Sequence, residues 1–424
     1  MSRTLNALQV AALLVSASYG IGFLFGSGEM AMTHGMAGSI YGLATALGML
    51  LLALFAARVW RSGMAIWDVF GAAFGERTGK AVALLSVIWM AGVLAAQIHG
   101  GVATVRLLGL PTLGAYALVL TSILLASRLR LGAASTLFSF FLIASGVVLV
   151  LALIHGGGGA IYLESPQRFT ADAPSLGIGA MLSLSIAVAA LVCTGADYHQ
   201  FLLAARRASG AVMGCLIASA CLVAVSFLPP SVVLGFKATG SLASLHDVKQ
   251  IIPFILAREV GHFGAAVSAL VLVGLSAAAL GSGAAITRAM ADALRSAAGG
   301  TQAADPAWMG IVALGIATAL TARGQGIVAT MVSVNVIYIG SIAVAFAALL
   351  AGWRLTPSAA SWVMGAGFVA SLGVYLAHWA GVPFGDGDLA SLMAGLLASG
   401  AVFLALTVLG RGRKQMVRPA PRTH

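Results

Sequence analysis

The chain has 424 residues, of which 60% are hydrophobic and only 8% are charged, and its formal net charge is +11. Soluble domains carry roughly a quarter charged residues, so this composition excludes a soluble enzyme. A membrane-spanning helix needs about 20 apolar residues, which gives room for about 12 transmembrane helices. We therefore predict an all-α membrane protein whose basic residues lie in loops beside a lipid bilayer and bind no nucleic acid.

Twelve apolar segments follow one another along the chain. In order they cover residues 5–31, 38–59, 81–108, 113–126, 132–154, 176–205, 208–236, 263–294, 307–322, 326–353, 359–379 and 389–409. The mixed segment 60–80 predicts an amphipathic helix at the interface. With the N-terminus inside, most of the 23 Lys and Arg residues fall on the inner side. We therefore expect both termini in the cytoplasm and the protein in a bacterial-type inner or plasma membrane.

Glycines interrupt the first segment just before a carboxylate. Four Gly lie between Tyr19 and Glu29, and Gly is a poor helix former. Irregular backbone at membrane depth occurs only where it lines a protein cavity. The pattern predicts a functional break over residues 19–29, with close packing of Gly against a neighbouring helix as the alternative. The sixth segment repeats the pattern, with Gly195 shortly before Asp197.

Interrupted helices at corresponding positions of two halves indicate an inverted-repeat transporter. The first five segments, about residues 5–154, and the next five, about 176–353, form the two predicted repeats. Because each half has an odd number of helices, the second half is inverted relative to the first. Residues 1–353 are thus a predicted transporter core, and 354–424 add two transmembrane helices and a basic cytoplasmic tail.

Polar side chains inside the apolar segments are the other candidates for function, because they are costly in lipid. Gln97 and His99 lie in the third segment and Asn335 in the tenth; for His99 a packing or pore-lining role is the alternative. The eighth segment contains a run of small residues around Ser282. This run predicts either a tight helix crossing or a wall of oxygen ligands for a small cation.

Three stretches in this order resemble the sodium:solute symporter family. Residues 23–35 are similar to the broken first core helix of that family, and residues 197–206 to the inner end of its sixth core helix. Residues 252–292 resemble its eighth helix and the proline before it. Within residues 197–206, Phe201 stands where the family has arginine. The resemblance covers about residues 5–353 and implies a five-plus-five inverted-repeat fold with alternating access.

The resemblance also implies a sodium site shared by the first and eighth core helices. The positions that correspond to its oxygen ligands are Ser16, Tyr19, Ala278, Gly281 and Ser282. Gly281 replaces a hydroxyl residue of the family, so one ligand is missing. Weak sodium binding, a proton in its place and no coupled ion all remain open.

The sequence predicts a secondary active transporter that couples a small polar solute to sodium or protons. The predicted substrate-binding residues are Ser18, Gly22, Phe23, Gln97, Thr194, Gly195 and Asn335, and the predicted gate or charge-partner residues are Glu29, Asp197 and His99. An uncoupled facilitator or channel, or a membrane sensor with a transporter-like fold, is the alternative. No catalytic motif favours an enzyme, and the solute and the oligomeric state are left open.

Overall fold

A computed structural model describes residues 3–64, 66–128, 131–298, 306–322, 324–408 and 412–414. Nineteen α-helices make up almost all of this part of the chain. They are α1 (Ala7–Ser18), α2 (Ile21–His34), α3 (Ile40–Ser62), α4 (Ile66–Phe74), α5 (Glu76–Leu107), α6 (Thr112–Ala126), α7 (Leu131–His155), α8 (Gly158–Leu163), α9 (Ser165–Asp172), α10 (Ile178–Thr194), α11 (Ala196–Leu203), α12 (Ala208–Ser226), α13 (Leu228–Ala238), α14 (Ile251–Glu259), α15 (Ala265–Ala297), α16 (Pro306–Thr321), α17 (Ile327–Leu350), α18 (Pro357–Trp379) and α19 (Gly387–Val408). Short 3-10 helices cover Gly35–Ser39, Ala173–Leu176, Val248–Gln250 and Gly261–Phe263.

Seven helical segments in the described ranges are long and apolar enough to cross a membrane. They are Ile21–Ser62, Glu76–Leu107, Ala208–Ala238, Ala265–Ala297, Ile327–Leu350, Pro357–Trp379 and Gly387–Val408. The pair Ser165–Leu176 and Ile178–Thr194, bent by 111°, makes an eighth if it is one span. An integral membrane protein is thus confirmed. The number of twelve crossings and their grouping into two repeats remain predictions.

The helices α5 and α17 form the centre of the helix bundle. In their most apolar windows 72% and 78% of residues are buried, against 28% in α19. Gly92 lets the two backbones approach, because a Cβ atom there would lie 2.4 Å from Val334 Cγ2 and 3.2 Å from the Thr330 carbonyl oxygen. Such small-residue contacts replace the hydrophobic driving force, which is absent between helices in lipid.

Segment 60–80 differs from the single interfacial helix that the sequence predicts. The helix α3 continues to Ser62, α4 covers only Ile66–Phe74, and α5 begins at Glu76. Gly63 and Gly75 adopt positive φ angles of 67° and 93° at the two boundaries. Glycine adopts this left-handed region without a steric penalty and commonly ends helices there.

One short antiparallel pair is the exception to the all-helical prediction. Strand β1 (Trp353–Leu355) follows α17 and pairs with β2 (Gly412–Lys414), which lies beyond α19. The pairing ties the end of α19 to the end of α17. Residues 409–411 and 415–424 lie outside the described residues.

Candidate functional site

The first broken helix is interrupted at two residues. The helix α1 ends at Ser18 and α2 begins at Ile21, while Gly20 between them is extended, with φ −87° and ψ −174°. The break is therefore shorter than the predicted range 19–29. Both sequence-based interpretations hold in part, because Tyr19 and Gly20 unwind whereas the later glycines stay helical.

Those later glycines are helical because α2 packs closely against its neighbours. A Cβ atom on Gly22 would lie 2.7 Å from Met331 Sδ, and one on Gly26 would lie 2.5 Å from Val328 Cγ2, both on α17. Gly22 thus shapes the site through packing rather than through an unwound backbone.

The second broken helix is interrupted at Gly195, as predicted. The helix α10 ends at Thr194, Gly195 is extended with φ −70° and ψ 125°, and α11 begins at Ala196. Two side chains bind carbonyl oxygens of the last turn of α10. His199 Nε2 donates to the Cys193 oxygen at 2.8 Å, and the Tyr338 hydroxyl donates to the Thr194 oxygen at 3.3 Å. The break is therefore built into the fold and is not frayed.

Asp197 lies in the first turn of α11, beside the second break. Its carboxylate lies close to the backbone N–H groups of Asp197 and Tyr198, a favourable position for a negative charge because the helix N-terminus carries partial positive charge. Tyr41, Tyr198 and Tyr338 lie close enough to interact with it electrostatically. The structure thus places Asp197 among three tyrosines from α3, α11 and α17.

The ends of the two broken helices lie next to each other. Ser18, the last residue of α1, donates its hydroxyl to the Leu14 oxygen at 2.8 Å, and its side chain lies close enough to Tyr198 on α11 to interact with it. The Phe23 ring lies 5.2 Å from the Tyr19 ring and 6.3 Å from the Tyr41 ring, measured between centroids. Aromatic rings therefore surround the point where the four half-helices meet.

The third and tenth predicted spans, α5 and α17, contribute amide side chains to the same region. Asn335 Nδ2 donates to the Ala187 oxygen of α10 at 3.0 Å. Gln97 Nε2 lies 3.8 Å from the position that a Cβ atom on Gly20 would occupy. The structure therefore brings Gln97 to the first break and Asn335 to the helix that carries the second.

Several polar atoms around the two breaks are buried without a hydrogen-bond partner. In the described ranges they are Trp89 Nε1, Gln97 Oε1, Asp197 Oδ1 and Asn335 Oδ1; His99 Nε2, Ser27 Oγ and Ser231 Oγ share this property. Each such group costs about 1–3 kcal/mol, and most buried polar groups in proteins are satisfied. Their concentration on α5, α11 and α17 marks a region that a polar ligand would satisfy.

A cavity of about 300 Å³, which we call the vestibule, lies beyond the breaks toward Glu29. It is lined by Glu29, Met30, Thr33, His34, Ala180, Ser183, Leu184, Val248, Gly326, Val328, Ala329, Val332, Asp386 and Asp388. Ser183 on α10 and Val332 on α17 each lie one helical turn before the hydrogen-bonded residues Ala187 and Asn335. The vestibule therefore ends about one turn above that hydrogen bond.

Glu29 connects two walls of the vestibule. Its Oε2 accepts the backbone N–H of Ile327 at 2.8 Å and thereby caps the first turn of α17 from α2. A carboxylate stabilises a helix N-terminus by satisfying an unpaired N–H and by interacting with the helix dipole. Glu29 thus lies at the vestibule, whereas Asp197 lies at the second break.

The opposite end of the first broken helix is closed by contacts that we call the Arg3 latch, formed by residues 3–6, Trp60 and 204–206. The Leu5 N–H donates to the Ala204 oxygen at 3.0 Å, and the Arg206 N–H donates to the Leu5 oxygen at 2.8 Å. The indole N–H of Trp60 donates to the Ala205 oxygen at 2.7 Å. The Arg3 guanidinium lies 3.9 Å above the Trp60 ring. These contacts join the start of α1 to the ends of α3 and α11.

The residues of the predicted sodium site are less closely associated. The main packing partners of α1 are α12 and α11, and those of α15 are α5 and α7. Ser16 and Ser282 are half-buried and Gly281 is buried, while the side chain of Ala278 lies outside the described residues. The Tyr19 ring lies 3.9 Å from the Cβ position of Gly146 on α7. Direct packing of α1 on α15 is therefore not among the main contacts of either helix.

The described residues contain no group of three His, Cys, Asp or Glu that could hold a metal ion. A small cation at the predicted site would be bound instead by carbonyl oxygens and the Ser282 hydroxyl. Oxygen ligands of this kind suit hard cations.

Two residues at the site are absent from the sequence-based set. His199 is buried and caps α10 at the break, and a histidine at membrane depth is itself a signal of function. Trp89 is buried with its ring 6.2 Å from the Tyr338 ring. Tryptophan usually lies at membrane interfaces, so its position in the middle of a span is the signal that could have identified it.

Comparisons with solved structures give a consistent picture of the fold. No protein-family model matches the sequence, and a search of curated proteins finds no match. A Na⁺-coupled sialic acid symporter in a substrate-bound outward-open state is 12% identical, with a TM-score of 0.58 over 96% of this chain and 97% of that one. The inward-facing conformation of Mhp1 is 15% identical, with a TM-score of 0.59 over 96% and 92%.

A third solved structure agrees with these two. MhsT in complex with L-phenylalanine is 12% identical, with a TM-score of 0.53 over 96% of this chain and 99% of that one. This chain has the fold of these transporters. The likeness covers nearly the whole length of this chain and of each compared protein, and it confirms the fold that the sequence resemblance implies. At these identities the likeness shows the fold alone.

Proposed function

We propose that this protein is a secondary active transporter that moves a small polar solute together with a cation by alternating access. The observation that carries the proposal is the meeting of two broken helices, at Gly20 and Gly195, within a group of buried polar atoms that lack partners. Broken helices whose ends face a shared site near the midplane are how many transporters bind solutes and ions in lipid.

The similar structures support alternating access for this fold. Their descriptions include an outward-open state, a closed conformation and an inward-facing conformation. The solutes named for them differ widely: sialic acid, bromovinylhydantoin and L-phenylalanine. Because one fold accepts such different molecules, the solute of this chain depends on its own side chains.

The structure is open at one end and closed at the other, as expected for a carrier in a single conformational state. The vestibule gives access from the Glu29 end, while the Arg3 latch joins three helices at the other end. The excess of basic residues in loops at the Arg3 end supports a cytoplasmic position for that end. The structure then corresponds to an outward-facing state of a transporter with cytoplasmic termini.

The roles of the site residues follow from their positions. Asp197 is the charge partner for the bound solute or ion at the break, and Glu29 is a gate residue, since its bond to Ile327 holds α2 against α17. The proposed substrate-binding residues are Ser18, Gly22, Phe23, Gln97, Thr194, Gly195 and Asn335; the positions of Gln97 beside Gly20 and of Asn335 against α10 support this assignment. His99 interacts electrostatically with Lys249, and we assign it to the outer part of the pathway.

Sodium is the proposed coupling ion, with Ser16, Tyr19, Ala278, Gly281 and Ser282 as its ligands and a proton as the alternative. One elementary charge that crosses 100 mV supplies about 2.3 kcal/mol, which corresponds to about a 50-fold concentration ratio. A single coupled cation is therefore sufficient for useful accumulation. The missing hydroxyl at Gly281 and the separate packing of α1 and α15 favour weak binding of the ion over tight binding.

The missing hydroxyl at Gly281 and the separate packing of α1 and α15 also support a second candidate function, an uncoupled facilitator. Residues 1–353 would form the transport unit in either case. The helices α18 and α19 pack mainly on each other and on α17, with a smaller contact between α19 and α10, which supports their proposed role as additions to the core.

Uptake into proteoliposomes tests the proposed function. Solutes that raise the melting temperature of the purified protein would be supplied as radiolabelled compounds, with a sodium gradient, a proton gradient or neither. We expect accumulation above the external concentration that depends on one of the gradients. Saturable counterflow without accumulation would instead identify a facilitator, and flux that rises linearly with concentration would identify a pore; both results contradict coupled symport.

A further inference from the structure

Two of the buried polar atoms without partners form a complementary pair at one place in the fold. Trp89 on α5 and Asn335 on α17 are exposed by only 4% and 2%. The Trp89 indole nitrogen and the Asn335 amide oxygen have no partner. The first group can only donate a hydrogen bond and the second can only accept one.

The orientation of the Asn335 amide is fixed by the protein. Its Nδ2 faces the carbonyl oxygen of Ala187 at 3.0 Å, and a carbonyl oxygen can only accept. The NH₂ group must therefore face α10, which leaves Oδ1 as a free acceptor. A rotated amide would place two acceptors against each other and would lose this bond.

The two residues are neighbours because α5 and α17 pack with little space between them. Gly92, one turn after Trp89, approaches Val334, the residue before Asn335. The Trp89 ring also lies 6.2 Å from the ring of Tyr338, which is one turn after Asn335. Tyr338 in turn donates to the Thr194 oxygen at the second break. Trp89 and Asn335 thus lie at neighbouring levels of the α5–α17 contact, and Tyr338 connects this level to the broken end of α10.

We propose that Trp89 and Asn335 select a solute in which a carbonyl group stands next to an N–H group, as in amides, imides and ureides. The solute carbonyl accepts from the Trp89 indole N–H, and the solute N–H donates to Asn335 Oδ1. Gln97, whose Oε1 is also buried without a partner, supplies a second acceptor beside Gly20. This inference deepens the proposed transport function and rests on it for the location of the solute.

Selection depends on whether the hydrogen-bonding groups of a solute match those of Trp89 and Asn335. A site with one buried donor and one buried acceptor rejects molecules that cannot pair with both. Such molecules leave at least one polar group unpaired and its free-energy cost uncompensated. Quaternary amines and N-methylated amides could not donate to Asn335, whereas hydroxyl groups can both donate and accept, so polyols have to be separated from amides by the test. The pair of residues therefore discriminates by hydrogen-bond pattern rather than by size.

The test is equilibrium binding to the full-length protein in lipid nanodiscs, with a defined panel of probes. The panel contains hydantoin, uracil and succinimide, the fully N-methylated form of each, pyrrolidine as a compound without the carbonyl, and glycerol, betaine and L-alanine as other classes. We expect at least one of the first three to bind, and its N-methylated form to bind about tenfold more weakly, the usual effect of one lost hydrogen bond.

Trp89→Phe is the informative variant, with Trp362→Phe as its control on the exposed surface of α18, where Trp362 is 69% exposed. The indole N–H of Trp89 makes no bond in the protein, so its loss should leave the melting temperature without solute unchanged or higher. Binding of the selected probe should weaken about tenfold in Trp89→Phe and stay unchanged in Trp362→Phe. A merely structural role for Trp89 would lower the melting temperature instead.

The outcomes separate this inference from the proposed function. If none of the three N–H compounds binds, if methylation leaves their affinity unchanged, or if Trp89→Phe binds them as well as the wild type, the inference is wrong. Uptake of a polyol or betaine would overturn the inference and leave the transport function standing. Binding that is sensitive to Trp89→Phe, without any uptake or counterflow, would support the site and overturn the transport function.

Discussion

Replacement of Asp197 by asparagine should reduce the initial rate of solute uptake by about ten- to a hundredfold. The carboxylate lies at the second break among three tyrosines, and its Oδ1 is buried without a partner. Hydrogen bonds to charged groups contribute about 1.5–3 kcal/mol, and each 1.4 kcal/mol is a factor of ten. Asparagine keeps the shape of the side chain, so the fold should remain. Uptake at low solute concentration into proteoliposomes measures the effect.

Asp68→Asn is the matched control for this variant. Asp68 is an exposed carboxylate on the short helix α4, far along the chain from either break. The control should transport at the wild-type rate, with the same yield of folded protein for both variants by size-exclusion chromatography. Uptake by Asp197→Asn within twofold of the wild type would show that the carboxylate binds neither solute nor ion.

Replacement of Gly367 by alanine should destabilise the folded protein by about 1–3 kcal/mol, the usual cost of an overpacked interior. A Cβ atom at this position of α18 would lie 2.2 Å from the Gly340 carbonyl oxygen on α17 and 3.1 Å from Ser399 Cβ on α19. The nearest atom is backbone, so α18 would have to move away from α17. That movement would disturb the bond from the Ser399 hydroxyl to the Gly340 oxygen, at 3.2 Å. Thermal unfolding of the purified protein measures the change.

Gly365→Ala gives the opposite expectation on the same helix. A Cβ atom at Gly365 meets nothing within 4 Å, and alanine in a helix interior is favoured over glycine by about 1 kcal/mol. The melting temperature should therefore rise slightly or stay unchanged at position 365 and fall at position 367. Equal effects at both positions would contradict the close three-helix contact.

The positions of the two helix breaks could be predicted from the sequence, but the extent of the first could not. The four glycines before Glu29 and the single Gly195 before Asp197 locate both interruptions, because glycine and a carboxylate are unusual together in an apolar segment. The extent of the first break does not follow from composition. Gly22 and Gly26 remain helical since Met331 and Val328 of α17 fill the space beside them, and such a contact between distant segments cannot be recognised in a single sequence.

The site shows the same division between local and long-range information. Gln97 and Asn335 stand out as amides in apolar segments, and the structure places both beside the breaks. The role of Trp89 depends on which atoms have partners, and the Arg3 latch depends on the approach of residues 3–6 to Trp60 and Ala205. The sequence predicts Glu29 as a gate residue, and its bond to the backbone of Ile327 is visible only in the fold.

Opposite movements at the two ends of the molecule are the most direct test of alternating access about the two breaks. Spin labels would be placed on Ala180 and Ala329, which line the vestibule, and in a second sample on Thr4, within the Arg3 latch, and Ser62, beside it. Pulsed electron-paramagnetic-resonance distances would be recorded with and without the transported solute and cation. We predict that the vestibule distance shortens while the latch distance lengthens. Distances that change together in the same direction, or that stay fixed in both pairs, would contradict the account.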